Sequence, residues 1–177
     1  MSEAKLIVFV SLIATLVLVF GGLSSAKNTL PPQAAKHLPQ NSLEVYNIRH
    51  INHDTITVQK GEHVGLLMYW AVHPDVGRDR VREYLEVSNL EAWIDGERVP
   101  NAERYYEDSI ECGVYVGPAC WINWFLPLKF QEMGEHTWEI QITFEKEHCD
   151  GFGNCFDEIH GVNPYGTIEV VSPAKKK

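Results

Sequence analysis

A chain of 177 residues with 45% hydrophobic, 11% aromatic and 22% charged side chains has a globular composition and not a disordered one. The formal net charge is −9, and the part beyond residue 26 keeps that value, because the leader contributes one acid, Glu3, and one base, Lys5. Nucleic acid is therefore excluded as an expected partner.

Residues 6–20 (LIVFVSLIATLVLVF) carry no charge, follow a short MSEAK leader and give way to Gly21, Gly22 and the small-residue stretch 23–26. This is the grammar of a signal peptide, with a cut expected after Ala26. Extended to Leu23 the apolar run reaches 18 residues, long enough to span a bilayer, so a membrane anchor over residues 6–23 is the alternative to cleavage. Cleavage is favoured; either outcome places the rest outside, secreted or on the extracellular face of the membrane. Residues 27–42 combine three prolines with Gln, Asn and Ser and read as a linker or stalk.

From residue 43 the pattern changes to short runs of β-formers separated by turn residues. A first strand is expected over 43–51 and a second over 55–58, followed by a turn at Lys60-Gly61. Residues 64–72 (VGLLMYWAV) are apolar on both faces, which predicts a central strand. After the His73-Pro74 break, Val81, Tyr84 and Leu85 fall at helical spacing and predict one short helix over 78–87. A strand over 90–94 meets Asp95-Gly96, a dipeptide suited to the positive φ angles of a tight hairpin. Further strands are expected over 114–116 and 121–126 around a Gly117-Pro118 turn, then over 137–145 and 166–172. In the strand over 137–145, Trp138, Ile140, Ile142 and Phe144 share one face, which predicts a core side and a wet side. Residues 173–177 form a basic tail ending in three lysines, read as solvated.

The Thr55-Ile56-Thr57-Val58 opening with Gly61-Glu62 after it, the Trp70 strand, the Asp95-Gly96-Glu97 hairpin and the Gly134-Glu135-His136-Thr137 approach to a late strand form one set. Together they resemble immunoglobulin-like or fibronectin-like domains of prokaryotic cell-surface or secreted proteins. The resemblance covers residues 43–172 and implies an all-β, antiparallel immunoglobulin-like sandwich with one short helix. It departs from antibody domains because the Trp70 strand holds no cysteine, so it implies a fold and a surface setting and carries over no functional residue.

Four cysteines, Cys112, Cys120, Cys149 and Cys155, read as disulfides in an exported chain. Three pairings are open; the two local ones are preferred because each brackets turn formers. The segment 148–160 offers His148, Asp150, Asn154, Asp157, Glu158 and His160 as candidate metal donors, with oxygens for calcium and imidazoles for zinc or copper. A plain stapled loop is the favoured reading, and no cofactor is expected. The histidines His50, His53, His63 and His73 form a second cluster read as surface residues, since His50 and His53 have opposite strand parity.

Aromatic residues gather at Tyr105, Tyr106, Trp121 and Trp124, and Trp93 lies opposite Ala92 and Ile94 in parity; all five are candidate partner-binding residues as well as candidate core. No nucleophile elbow, zincin motif or phosphate loop occurs in the sequence. The leading reading is a non-catalytic accessory domain binding a cell-envelope protein or polymer. The alternative is an extracytoplasmic metal-binding protein using the 148–160 loop.

Overall fold

The computed structural model describes residues 43–114 and 117–173. The hydrophobic leader, the linker, Tyr115, Val116 and the lysines of the tail lie outside the described residues.

Two sheets face each other across one core. The first contains β1 (Leu43–Asn47), β3 (His63–Val72), β7 (Pro118–Lys129) and β6 (Glu111–Val114), in the spatial order β1-β3-β7-β6. The second contains β2 (Thr55–Gln59), β11 (Tyr165–Val171), β8 (Gly134–Phe144), β4 (Ser88–Ile94) and β5 (Glu97–Arg98), in the order β2-β11-β8-β4-β5. A small hairpin of β9 (His148–Cys149) and β10 (Cys155–Phe156) stands apart from both.

The alternation of side chains along each strand decides which residues turn inward. On β3, Val64, Leu66, Met68, Trp70 and Val72 are buried; on β8, Trp138, Ile140, Ile142 and Phe144 meet them. Each fully buried Leu or Ile of this kind contributes about 1.5–3 kcal/mol. Trp70 of β3 lies 5.5 Å from Phe144 of β8, ring to ring, and ties the sheets together. The strand over 64–72 is central, as its two-sided apolar character predicts.

Helix α2 (Gly77–Val87) crosses from the end of β3 to the start of β4. It buries Val81, Tyr84 and Val87, while Leu85, expected on the same face, is exposed; the buried stripe steps by three residues each time. Tyr84 stacks on Trp70 at 4.4 Å with the rings 4° from parallel. Asp95 (φ 55°) and Gly96 (φ 75°) form the two-residue hairpin between β4 and β5, with Trp93 opposite Arg98 and Ile94 opposite Glu97.

Two expectations are corrected. The sheets are mixed and not wholly antiparallel: β1 runs parallel to β3, and β2 parallel to β11. The chain passes from the first sheet to the second at β2 and returns at β3, which lets β1 and β3 point the same way. The first strand also stops at Asn47 and not at Ile51. The Asn47 Oδ1 accepts the Arg49 N–H at 3.0 Å, and the single helical turn α1 (Ile48–Ile51) that follows turns Ile48 and Ile51 into the core.

Candidate functional site

The early end of β1 leaves a gap. Its register with β3 finishes at Asn47 opposite Leu67, whereas β3 continues to Val72 and keeps its pairing with β7 on the other side throughout. On the facing sheet, Val162 bridges to Ile142 of β8, and the Pro164 carbonyl accepts the Ile140 N–H at 2.9 Å. Between these two edges opens a cleft of about 740 Å³. One wall is Met68, Tyr69, Trp70 and Ala71 of β3; the other is Ile142, Val162 and Pro164.

Stapled loops form its rim. Cys149–Cys155 closes the β9–β10 hairpin, and Cys112–Cys120 joins directly opposed residues of β6 and β7, so both bridges are the local ones preferred from sequence. Asp150 organises the first hairpin. Its Oδ1 accepts the N–H groups of Phe152 (2.7 Å) and Asn154 (3.1 Å), and its Oδ2 accepts the Asn154 side-chain amide (2.7 Å). The Asp150 carbonyl accepts the His73 N–H at 2.8 Å and so fastens the hairpin to the end of β3. Gly151 (φ +79°) sits where a Cβ would lie 2.9 Å from the His73 Cβ, which only glycine avoids. Phe152, half exposed at 51%, stands edge-on to the His73 ring at 5.3 Å. On the opposite rim Arg49 donates to the Tyr69 hydroxyl at 3.2 Å.

Behind the hairpin, His148 is fully buried against Trp70, Tyr84 and Phe144, at ring distances of 5.8, 5.9 and 6.0 Å. Neither of its ring nitrogens has a hydrogen-bond partner. Burial holds its pKa below the usual histidine value and keeps the ring neutral; the nearby charges of Glu83 and Asp150 oppose this, and those of Arg80 and Lys146 reinforce it.

The candidate metal donors of 148–160 do not converge. His148 is enclosed by rings, and both Asp150 oxygens are taken within the hairpin. Asp157 lies apart, accepting the N–H groups of His160 (2.8 Å) and Ile159 (2.9 Å), with the His160 ring nitrogen at 2.9 Å. Those bonds hold its carboxyl below the ordinary aspartate range. Asn154 and Glu158 are exposed. Among the described residues no group of three or more His, Cys, Asp or Glu could hold a metal ion. The other histidines are also dispersed: His53 packs on Tyr165 at 4.3 Å, His73 faces Asp75 at 3.4 Å, His50 is exposed, and His63 sits at the opposite end of β3.

Of the five aromatic candidates for partner binding, Trp121 alone lines the cleft. Tyr105 and Trp124 are core residues, the Trp124 indole donating to the Ala102 carbonyl at 2.7 Å. Tyr106 packs against that core with its hydroxyl 2.5 Å from that of Tyr84. Trp93 is half-buried on the outer face of the second sheet. Sequence reading missed Arg49, Tyr69, Ala71 and Phe152. A signal existed for Phe152, an aromatic residue between glycines inside a stapled loop, whereas the gap beside Tyr69 and Ala71 depends on where a distant strand ends.

No family model matches the chain, and no curated protein matches it. Among solved structures, the cysteine protease inhibitor EhICP2 from Entamoeba histolytica is similar over 73% of this chain and 95% of its own, at 8% identity and a TM-score of 0.36. Amebosin is similar over 73% and 97%, at 11% identity and a TM-score of 0.34. PbICP-C, solved in complex with falcipain-2, is similar over 74% and 89%, at 12% identity and a TM-score of 0.31.

Proposed function

We propose that this chain is an exported, non-catalytic domain that binds a protein partner of the cell envelope through the cleft between its sheet edges. The observation that carries the reading is the cleft itself, where β3 outruns β1 and both walls are mainly apolar. Concave apolar sites with a few polar groups are the usual form of a binding site. The described residues lining it include no Ser, Thr, Cys, Glu or Lys, and its one carboxylate, Asp150, is committed to the hairpin. That composition suits recognition better than bond-making.

Export is supported by the leader and by two disulfides, which persist in oxidising compartments. Among the described residues no helix is long and apolar enough to cross a membrane. The test is site-specific photo-crosslinking in the producing cell. A photoreactive phenylalanine at Phe152 should trap one protein, while the same group at Trp93 should trap none. Identical products from both positions, or a polysaccharide adduct in place of a protein, would overturn the reading.

A further inference from the structure

The stapled hairpin is fastened to itself more firmly than to the sheets. The Glu145 N–H donates to the Val87 carbonyl at 2.8 Å, and Val162 exchanges backbone bonds with Ile142 at 2.9 and 3.0 Å, so residues 146–161 form an excursion between two fixed points. The Cys149–Cys155 bridge, the bonds to the Asp150 carboxylate and the Asp150 N–H on the Asn154 carbonyl all close within that excursion. Its backbone tie to β3 is the His73 N–H on the Asp150 carbonyl at 2.8 Å. Two of its rings enter the core. His148 fills the cage of Trp70, Tyr84 and Phe144, and Phe156 lies 5.0 Å from Trp70 and 5.4 Å from Phe144.

One of these rings can acquire a charge. Among the described residues neither nitrogen of His148 has a hydrogen-bond partner, and the Trp70 indole N–H, likewise unpartnered, can only donate. The charged groups around the cage are already engaged. Glu83 of α2 holds Arg80 on one oxygen and Lys146, from the turn after β8, on the other. Asp150 keeps both oxygens on loop donors, and the Tyr84 hydroxyl meets that of Tyr106. β3 and β8 present Trp70 and Phe144, and Phe156 of β10 packs on both; none carries a charge. The other imidazoles nearby lie outside the cage: His73 faces Asp75, and His160 belongs to the Asp157 turn. An imidazolium at His148 thus gains a second N–H and a charge that no described group is free to accept, and such a group is expelled to water.

We propose that the hairpin is an acid-released arm: protonation of His148 drives its ring from the cage, residues 146–161 swing away as one piece, and the partner held beside Phe152 is let go. This rests on the binding role given above and adds its regulation. The docked ring is neutral and a free one titrates near about 6.5, so the hold is complete above that pH and weakens by up to about tenfold per pH unit beneath it.

The test is amide exchange by NMR on the oxidised full chain at pH 7.5 and 5.0, corrected for the intrinsic pH dependence of exchange, with and without dilute urea. The His73 N–H should open as much as about 30-fold more often at pH 5.0 and be indifferent to urea, because undocking exposes little surface. Amides in the paired centre of β4 and β8 should instead exchange faster as urea is added. His148→Phe should erase the pH response at His73, while His160→Gln should keep it. A His73 amide that follows urea as β4 and β8 do would show that acid unfolds the whole domain, and would overturn the arm; so would a pH response that survives His148→Phe. Release is read with the photoreactive group at Phe152 on cells suspended at each pH. The protein trapped at pH 7.5 should be missing at pH 5.0 and return when His148→Phe is added. Equal trapping at both pH values overturns release. No trapped protein at either pH, with the His73 response intact, overturns the binding role and not the arm.

Discussion

The His148 ring holds two nitrogens in an apolar cage of Trp70, Tyr84 and Phe144 with no partner for either. An unfolded histidine titrates near about 6.5, and this one titrates lower in the fold. Below that pH the unfolded chain binds the extra proton and the fold does not, so stability is complete above about 6.5 and declines as pH falls beneath it. His63, lowered by burial and then by the Lys129 ammonium, adds in the same direction. Thermal melts from pH 8 to 5 should therefore show a falling Tm, flattened in His148→Phe and flatter still when His63→Gln is added. An unchanged slope in His148→Phe would show that other groups govern it. Gly151→Ala should cost about 1–2 kcal/mol in urea unfolding, since it combines a positive φ with a contact against His73. None of this was legible beforehand: the sequence marks His148 as a donor beside a cysteine, and only the packing of α2 and β8 turns it into a core residue.

Strands fared differently from their neighbours. β8 announces itself by a period of two over nine residues and β3 by a nine-residue run apolar on both faces, and the Asp95-Gly96 turn sets its own register. The end of β1 was not legible, because Ile48 and Ile51 suit a strand as well as a helical turn and only the core behind them decides. Parallel pairing escaped for the same reason: β2 meets β11 through residues such as Thr55 and Thr167, far apart in the chain. The two disulfides, by contrast, were legible because each closes a short loop, of separations 8 and 6. Loops so short remove about 2–2.5 kcal/mol of unfolded-state entropy each, against nearly 5 for a long one. Replacing Cys149 and Cys155 together by serine should thus lower stability by about 2 kcal/mol and leave the sandwich folded. The specific change should be protease cleavage within 150–154, detected by mass spectrometry; uniform digestion of the whole domain would show that the bridge supports more than its own hairpin.

The described chain enters and leaves at one end of the molecule. Leu43 lies opposite His63 at the start of β3, and Val171 opposite Gln59 at the end of β2. The cleft and its stapled rim occupy the other end, where β3 finishes and β7 begins. A stalk or anchor attached ahead of residue 43 would hold the domain with its cleft turned outward, a separation of about 30 Å along β3. A bulky fusion after Pro173 should accordingly leave crosslinking at Phe152 intact, whereas the same fusion inserted at Gly153 should eliminate it; equal loss from both would contradict the polarity.

The place of β11 bears on the order in which such a chain folds. The last of the described strands is not an edge: it lies between β2, to which it runs parallel, and β8, to which it runs antiparallel. Until residues 165–171 are in place, the five-stranded sheet lacks an interior member and β2 has no neighbour in it. Contacts of such long range make folding slow. Closure of this sheet therefore waits on β11, and the burial of Trp138 and Ile140 in its core marks the completion of the fold.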